Sequence, residues 1–361
     1  MTRPAVALLS KKNLLHNVGV IKKLLSPNTK LVAMVKADAY GHRIDFVAKV
    51  LDGFVDMLGV ASIDEALRIR NIGVKSPILL AEGVFEKEEL HIASLENFDV
   101  VFHSEYQVSW LEEIELTSPL NCWIKIDTGM GRLGFCIDSA DDAYNRLLAS
   151  SNNSNTITIM SHFACSDDKL HNLNSKQIAS FKKFIYNKKA KLSLCNSAAI
   201  INFPEIHYDY VRPGLTIYGI SPINSIEASK LDLKPVMTVQ SKIISIKSLK
   251  KGESVGYGCR YICPEDKLIA VIGFGYGDGY PITAQDGAPV LVNGIRCPIV
   301  GRVSMDMIMV DITSCESVTI GDNVTLWGEG LPIEEVVRYT SNITWDMVTG
   351  LQHRVKFIWK E

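Results

Sequence analysis

The sequence predicts an α/β fold: a closed (β/α)8 barrel of the TIM type, followed by a mainly β C-terminal domain. Three observations carry this. Short β-like apolar runs alternate with helical stretches over residues 1 to about 225; these runs number eight; and after Asp232-Leu233-Lys234-Pro235 the texture turns strand-like throughout. Alternating strands and helices imply right-handed βαβ units and a parallel sheet. Eight units in this length fit a closed barrel. An open doubly wound sheet is the alternative, but no G-x-G-x-x-G follows the first run.

The first helical pattern is Leu14, Leu15, Val18, Ile21, Leu24 and Leu25, spaced to fall on one face. It leads into the first apolar run, Leu31–Val35, followed by Met57–Ala61, Pro77–Ala81 and Val100–Phe102. A second helical pattern covers residues 104–111 and precedes the fifth and sixth runs, Cys122–Ile126 and Ile157–Met160. A third covers residues 177–185 and precedes Leu192–Cys195 and Tyr210–Ile217. The later strand-like segments are Val236–Ile246, Leu268–Phe274, Val290–Val292, Ile308–Ile312 and Asn323–Leu326. Turns such as Lys251-Gly252, Val292-Asn293-Gly294 and Ile320-Gly321-Asp322 separate them. The expected division is a barrel over 1–229 and a mainly β domain over 230–361.

Composition narrows the function classes. At 361 residues, two domains are the natural expectation. A formal net charge of −2 gives no support for nucleic-acid binding. No apolar run approaches ~18 residues, which argues against a membrane span. The opening residues lack a long apolar segment with a small-residue cleavage site, so a cytoplasmic location is expected. The eight cysteines contain no C-x-x-C pair, and several lie in apolar runs. Reduced, buried thiols are expected instead of a metal site or disulfide framework.

Chemistry is concentrated at strand ends. Lys36 closes the first run, where a buried ammonium is costly unless paired or neutralised. A lysine pushed toward its neutral amine suits Schiff-base chemistry. Taken alone, a strand-end lysine more often carries its head group to solvent. Further polar residues recur at the same end: Arg132 after run five, His162 after run six, Ser197 after run seven, Arg212 and Gly214 within run eight. Barrel enzymes place their active sites at the C-terminal ends of strands, so this set marks a site.

The segment Val35-Lys36-Ala37-Asp38-Ala39-Tyr40-Gly41-His42 resembles the lysine signature of the alanine racemases, which are pyridoxal-phosphate enzymes. Further matching motifs follow in order across both expected domains. They are Lys125–Gly134, Ser161-His162-Phe163, Cys195–Ala199, Val211–Gly219, Val255-Gly256-Tyr257-Gly258, Gly275–Tyr280 and Gly301–Asp306. The resemblance implies that Lys36 bonds the aldehyde of pyridoxal 5′-phosphate and then acts as one base, with Tyr257 as the second. Racemisation removes a proton from one face and returns one to the other, so two opposed bases are the direct solution. A phenol is a weak base at neutral pH unless positive neighbours favour its phenolate; the resemblance assigns that role to His162 and Arg212.

By the same resemblance Arg212 faces the pyridine nitrogen, and Tyr40, Ser197 and the backbone N–H groups of Gly214 and Leu215 hold the phosphate. Arg132 and the Met305 backbone hold the substrate carboxylate, with Tyr276 also at the substrate. Lys125 matches a lysine that can carry a carbamate orienting the arginine. The family builds each site across a head-to-tail homodimer, with Tyr257 and Met305 reaching the partner's barrel. The implied role is supply of D-alanine for peptidoglycan.

Three positions depart from the family pattern: Arg43 in place of glycine, Ser304 in place of cysteine, and His353 in place of a tyrosine beside the substrate side chain. His353 leaves serine or another small amino acid open as substrate. A fold-related amino-acid decarboxylase and a non-catalytic pyridoxal-phosphate carrier are further alternatives. The Gly-Tyr257-Gly motif and the second domain favour the racemase.

Overall fold

The computed structural model describes residues 3–361. All eight expected runs form parallel strands: Lys30–Met34, Met57–Val60, Ile78–Leu80, Phe98–Phe102, Leu120–Asp127, Asn153–Met160, Lys191–Asn196 and Tyr210–Arg212. Each pairs with its sequence neighbour. The last pairs back to the first, Tyr210 opposite Lys30 and Val211 opposite Leu31, and this closes the barrel. Strands in such a sheet are covered on both faces, which is why they read as continuous apolar runs. Val32, Met34, Met57, Leu79, Val101, Trp123, Met160 and Tyr210 fill one buried cluster.

The two ends of the barrel differ chemically. Asp99 lies near the strand starts that carry Lys30 and Lys191, and it accepts hydrogen bonds from Trp123 Nε1 at 2.8 Å and Asn121 Nδ2 at 2.9 Å. That is a satisfied structural carboxylate. The basic site residues sit at the opposite ends. The eighth strand stops at Arg212, short of the expected Ile217, because Pro213 cannot donate to a ladder. Leu215–Tyr218 form a 3-10 turn instead.

The mainly β unit is organised around the long strand Met237–Leu249, which pairs antiparallel with Val6–Ser10, Lys267–Ile272 and Asn323–Trp327. Register shifts at Val239/Gln240 and Ile243/Ser245 let one strand serve several partners. Val6–Ser10 also pairs with the C-terminal strand Lys356–Lys360. The described N-terminal residues up to Asn17 therefore cluster with the C-terminal unit, and the barrel unit begins at Val18. The expected boundary at 229/230 had put them with the barrel. The strands Ile295–Pro298 and Lys356–Lys360 were also not anticipated, since each is short and without clean alternation. No helix of the described residues is long and apolar enough to cross a membrane.

Candidate active site

In the barrel unit, Lys36 follows the first strand and opens a turn with an unusual hand. Ala37, Asp38, Ala39 and Tyr40 have φ of 52°, 52°, 57° and 51°. Left-handed backbone costs roughly 1–2 kcal/mol per non-glycine residue, so such a turn needs external support. Glu65 Oε1 accepts from the Ala37 N–H at 2.7 Å, Asp38 Oδ1 accepts from the Ile44 N–H at 2.9 Å, and the Ala39 N–H donates to Val35 at 2.8 Å. Arg43, at φ 67°, pairs with Asp38 at 3.2 Å, and Arg68 pairs with the same carboxylate at 3.0 Å. The positive φ explains why glycine suits position 43, and the ion pair shows what arginine supplies in its place.

Tyr40, at the end of this turn, has its hydroxyl pushed up to about 12 by burial, so it remains a neutral donor. It packs directly over Gly214, where a Cβ would run into the phenol oxygen. The Gly214 N–H donates to Ser197 Oγ at 2.9 Å, and Thr216 Oγ1 donates to the same oxygen at 3.3 Å. Ser197 opens a short helix whose first turn is capped by Asn196, accepting from the Ala199 N–H at 3.1 Å. Tyr40, Ser197, Gly214 and Leu215, expected together, do meet at one rim of the barrel.

Arg212 is buried on the eighth strand. Its terminal nitrogens donate to Ser193 Oγ and to the carbonyl of Ser161, while no described residue accepts from Nε. Burial brings the guanidinium down to about 10, so it stays charged at neutral pH. Lys125, on the fifth strand, is brought down to about 8 by burial, then by the positive charges of Arg212 and Arg132. His162 is driven well below the usual imidazole range by burial, then by Arg212 and Lys125, and is therefore neutral. Arg132 is exposed on a loop whose backbone is gathered by Asp127, which accepts from the N–H groups of Gly129 at 2.8 Å and Met130 at 2.9 Å.

Sequence reasoning missed a carboxylate here. Lys36 Nζ lies 3.0 Å from Glu82 Oε1. Glu82 directly follows the third apolar run, the same place relative to its strand that Lys36 occupies, and that position was the available signal.

In the mainly β unit, Tyr257 sits on a turn between Gly256 at φ 70° and Gly258 at φ 71°, and is 70% exposed. Tyr276 and Met305 are held side by side: the Tyr276 N–H donates to Ser304 at 3.0 Å and the Gly277 N–H donates to Met305 at 2.8 Å. A second network missed in the sequence fixes this pair. Asp278, fully buried, accepts from Arg3 Nε and Arg354 Nε, both at 2.8 Å. Arg354 then donates to the Met305 carbonyl at 3.1 Å and to Asp306 at 2.6 Å. Burial alone would raise the Asp278 carboxyl; Arg3, the Gly275 N–H and Arg354 outweigh it and hold it below the ordinary carboxylate value. His353, exposed, immediately precedes Arg354. Cys297 and Cys315, distant in sequence, approach to 3.1 Å between sulfurs and remain thiols. Among the described residues no group of three or more His, Cys, Asp or Glu side chains could hold a metal ion.

Comparison with known proteins finds matches along the whole chain. The family model for the alanine racemase N-terminal domain matches residues 9–222, and that for the C-terminal domain matches residues 236–359. A relative described as alanine racemase from Vesicomyosocius okutanii is 44% identical over 359 residues, covering 99% of each chain. Another of that description, from Coxiella burnetii, is 42% identical over 98% of each. The crystal structure of biosynthetic alanine racemase from Pseudomonas aeruginosa superposes with a TM-score of 0.97 at 36% identity, covering 100% of both chains.

Proposed function

The chain belongs to the alanine racemase family, and on that premise we propose that it is an isomerase interconverting L-alanine and D-alanine with pyridoxal 5′-phosphate. The observation that carries this reading is the packing of Tyr40 over Gly214 beside the Ser197 hydroxyl, on the same barrel rim as Lys36.

The residues fit that cofactor. A phosphate dianion asks for several donors and close backbone approach, and the missing Cβ at Gly214 leaves such a cradle for Tyr40, Ser197 and the N–H groups of Gly214 and Leu215. The Arg212 Nε, with no acceptor among the described residues, would face the pyridine nitrogen. Lys36 would bind the aldehyde through its amine. When bound, pyridoxal phosphate delocalises negative charge that develops at the substrate Cα.

The chain's own residues would do the rest. Arg132, with the Met305 backbone, would hold the substrate carboxylate; the side chain of Tyr276 would bound the substrate. Lys36 Nζ would take or return the α-proton on one face, and the Tyr257 oxygen on the other. Of the two residues expected to support Tyr257, His162 is neutral and Arg212 brings the positive charge. A carbamate on Lys125 would convert a cation beside Arg132 into an anion that pairs with it.

Tyr257, Tyr276 and Met305 are exposed by 70%, 37% and 53%. Exposed aromatic and methionine side chains of this kind support a homodimer in which they complete the partner's site. The proposed setting is the cytoplasm, with D-alanine supplied to peptidoglycan. Exposed His353 favours a second reading, a preference for serine or another small amino acid, because it donates hydrogen bonds where an aromatic hydroxyl is expected. Chiral chromatography of L-alanine incubated with the cofactor-loaded protein tests the first reading, with Lys36→Ala as control. D-alanine formed by the wild type alone supports it, and its absence with cofactor bound rejects alanine as substrate.

A further inference from the structure

From the Lys36–Glu82 contact we infer that Glu82 is a positioning residue of the reaction, a fixed counter-charge that meets Lys36 and anchors its Nζ until the cofactor is captured. This rests on the reading of Lys36 as the cofactor-binding base.

On the neighbouring strands the charged groups near Lys36 are otherwise positive, while the carboxylates of Asp38 and Glu65 are engaged in the turn that follows it. Lys125 on the fifth strand, Arg132 on the loop after it and Arg212 on the eighth strand all bear on the same region, where Lys36 and Glu82 in turn act on Lys125. His162 after the sixth strand is neutral. Into this group Glu82 brings a carboxylate 3.0 Å from Lys36 Nζ, with both side chains 35% exposed.

The carboxylate is held by a built turn, not by a free surface segment. Gly83 has φ 75°, and a Cβ there would strike the Val101 carbonyl and the Gln107 side chain. Buried Gln107 donates to the Val84 carbonyl at 3.0 Å and accepts from the His103 N–H at 2.9 Å. The His103 Nε2 lies 3.1 Å from the Glu82 carbonyl oxygen. Burial, the first cause, lowers His103 below the usual imidazole value, so His103 contributes no charge at neutral pH.

An opposite charge within ~4–6 Å favours the ionised form of its partner, and surrounding like charges disfavour it. Glu82 thus offsets Lys125, Arg132 and Arg212. It anchors Lys36 Nζ before the cofactor is captured. Bonding to an aldehyde takes Nζ away from this carboxylate, so the contact belongs to the state before capture.

The test uses the cofactor-free full chain. Acetic anhydride labelling is followed over a pH series, and the Lys36-bearing peptide is quantified by mass spectrometry. Glu82→Gln is expected to raise the rate of Lys36 labelling at neutral pH roughly twofold to fivefold, with Lys247 labelling unchanged. Glu82→Asp should restore part of the wild-type profile. Glu82→Ala serves the same purpose if the glutamine variant does not fold, as judged by circular dichroism. An unchanged Lys36 profile in a folded variant overturns the inference. Wild-type racemisation of alanine is measured alongside, so that failure of this inference is separated from failure of the functional reading.

Discussion

Gly214 lies against the phenol of Tyr40 so closely that a single methyl group at position 214 would collide with the hydroxyl oxygen. The contact joins the last barrel strand to the left-handed turn after the first, and it defines the cradle on which the cofactor assignment depends.

Gly214→Ala should therefore displace Tyr40 and weaken pyridoxal phosphate binding at least about tenfold, equivalent to ~1.4 kcal/mol. Absorbance titration of the cofactor-free protein measures this. Wild-type affinity in the variant would remove Gly214 and Tyr40 from the phosphate site.

Lys125 should trade stability for function. Burial and two arginines bring it down to about 8, so the folded state binds fewer protons than the unfolded one between that value and ~10.5. Stability then rises with pH across that window. In bicarbonate-free buffer, Lys125→Met should stabilise the cofactor-free protein below pH about 8 by on the order of 2 kcal/mol, the gain fading toward pH ~10.5. Thermal melts over a pH series decide it; a variant no more stable than wild type at neutral pH would contradict it.

A neutral amine is also the form that combines with carbon dioxide. In bicarbonate, the wild type should gain the mass of one carbon dioxide by native mass spectrometry, with occupancy rising as pH passes about 8 and no gain in Lys125→Met. An unmodified Lys125 in the bicarbonate-loaded, active protein counts against the carbamate.

Two inactive variants, Lys36→Ala and Tyr257→Phe, should recover activity when their subunits exchange, because one of the two sites in a mixed dimer has both bases. Recovery of about half of wild type per mixed dimer, or roughly a quarter for a fully exchanged equal mixture, is the expectation if sites act independently. No recovery despite proven exchange would sink the shared site.

Asp278→Ala leaves Arg3 and Arg354 without their buried acceptor, and breaking such a pair costs roughly 3–5 kcal/mol. The wild-type contribution of Asp278 should be complete above the ordinary carboxylate range and fade as pH falls through its lowered folded value. Arg354→Met should cost less stability and raise KM for alanine more than it lowers kcat, since it frees the Met305 carbonyl. Equal effects on both constants would show that the anchor serves folding alone.

The eight barrel runs were legible because each is buried on both faces and so carries a local signature. Lys36, Arg132, His162, Ser197 and Arg212 were legible because the chain leaves each strand at the same end. Val6–Ser10 was not, since its partners are Met237–Leu249 and Lys356–Lys360 and nothing nearby in sequence encodes that pairing. The left-handed turn at Ala37–Tyr40 was also hidden. Alanine has no preference for that backbone, and the support comes from Glu65 and Arg68, on a different helix.

The sequence by itself determined the element order, the barrel, and the chemical types gathered at its strand ends, because periodic burial and strand polarity are local properties. Tertiary structure alone decided that Glu82 opposes Lys36, that Tyr40 roofs Gly214, and that Asp278 ties Arg3 to Arg354 across 351 residues of chain. Those are contacts between side chains whose meeting depends on barrel closure and strand register, and no window of sequence contains both partners.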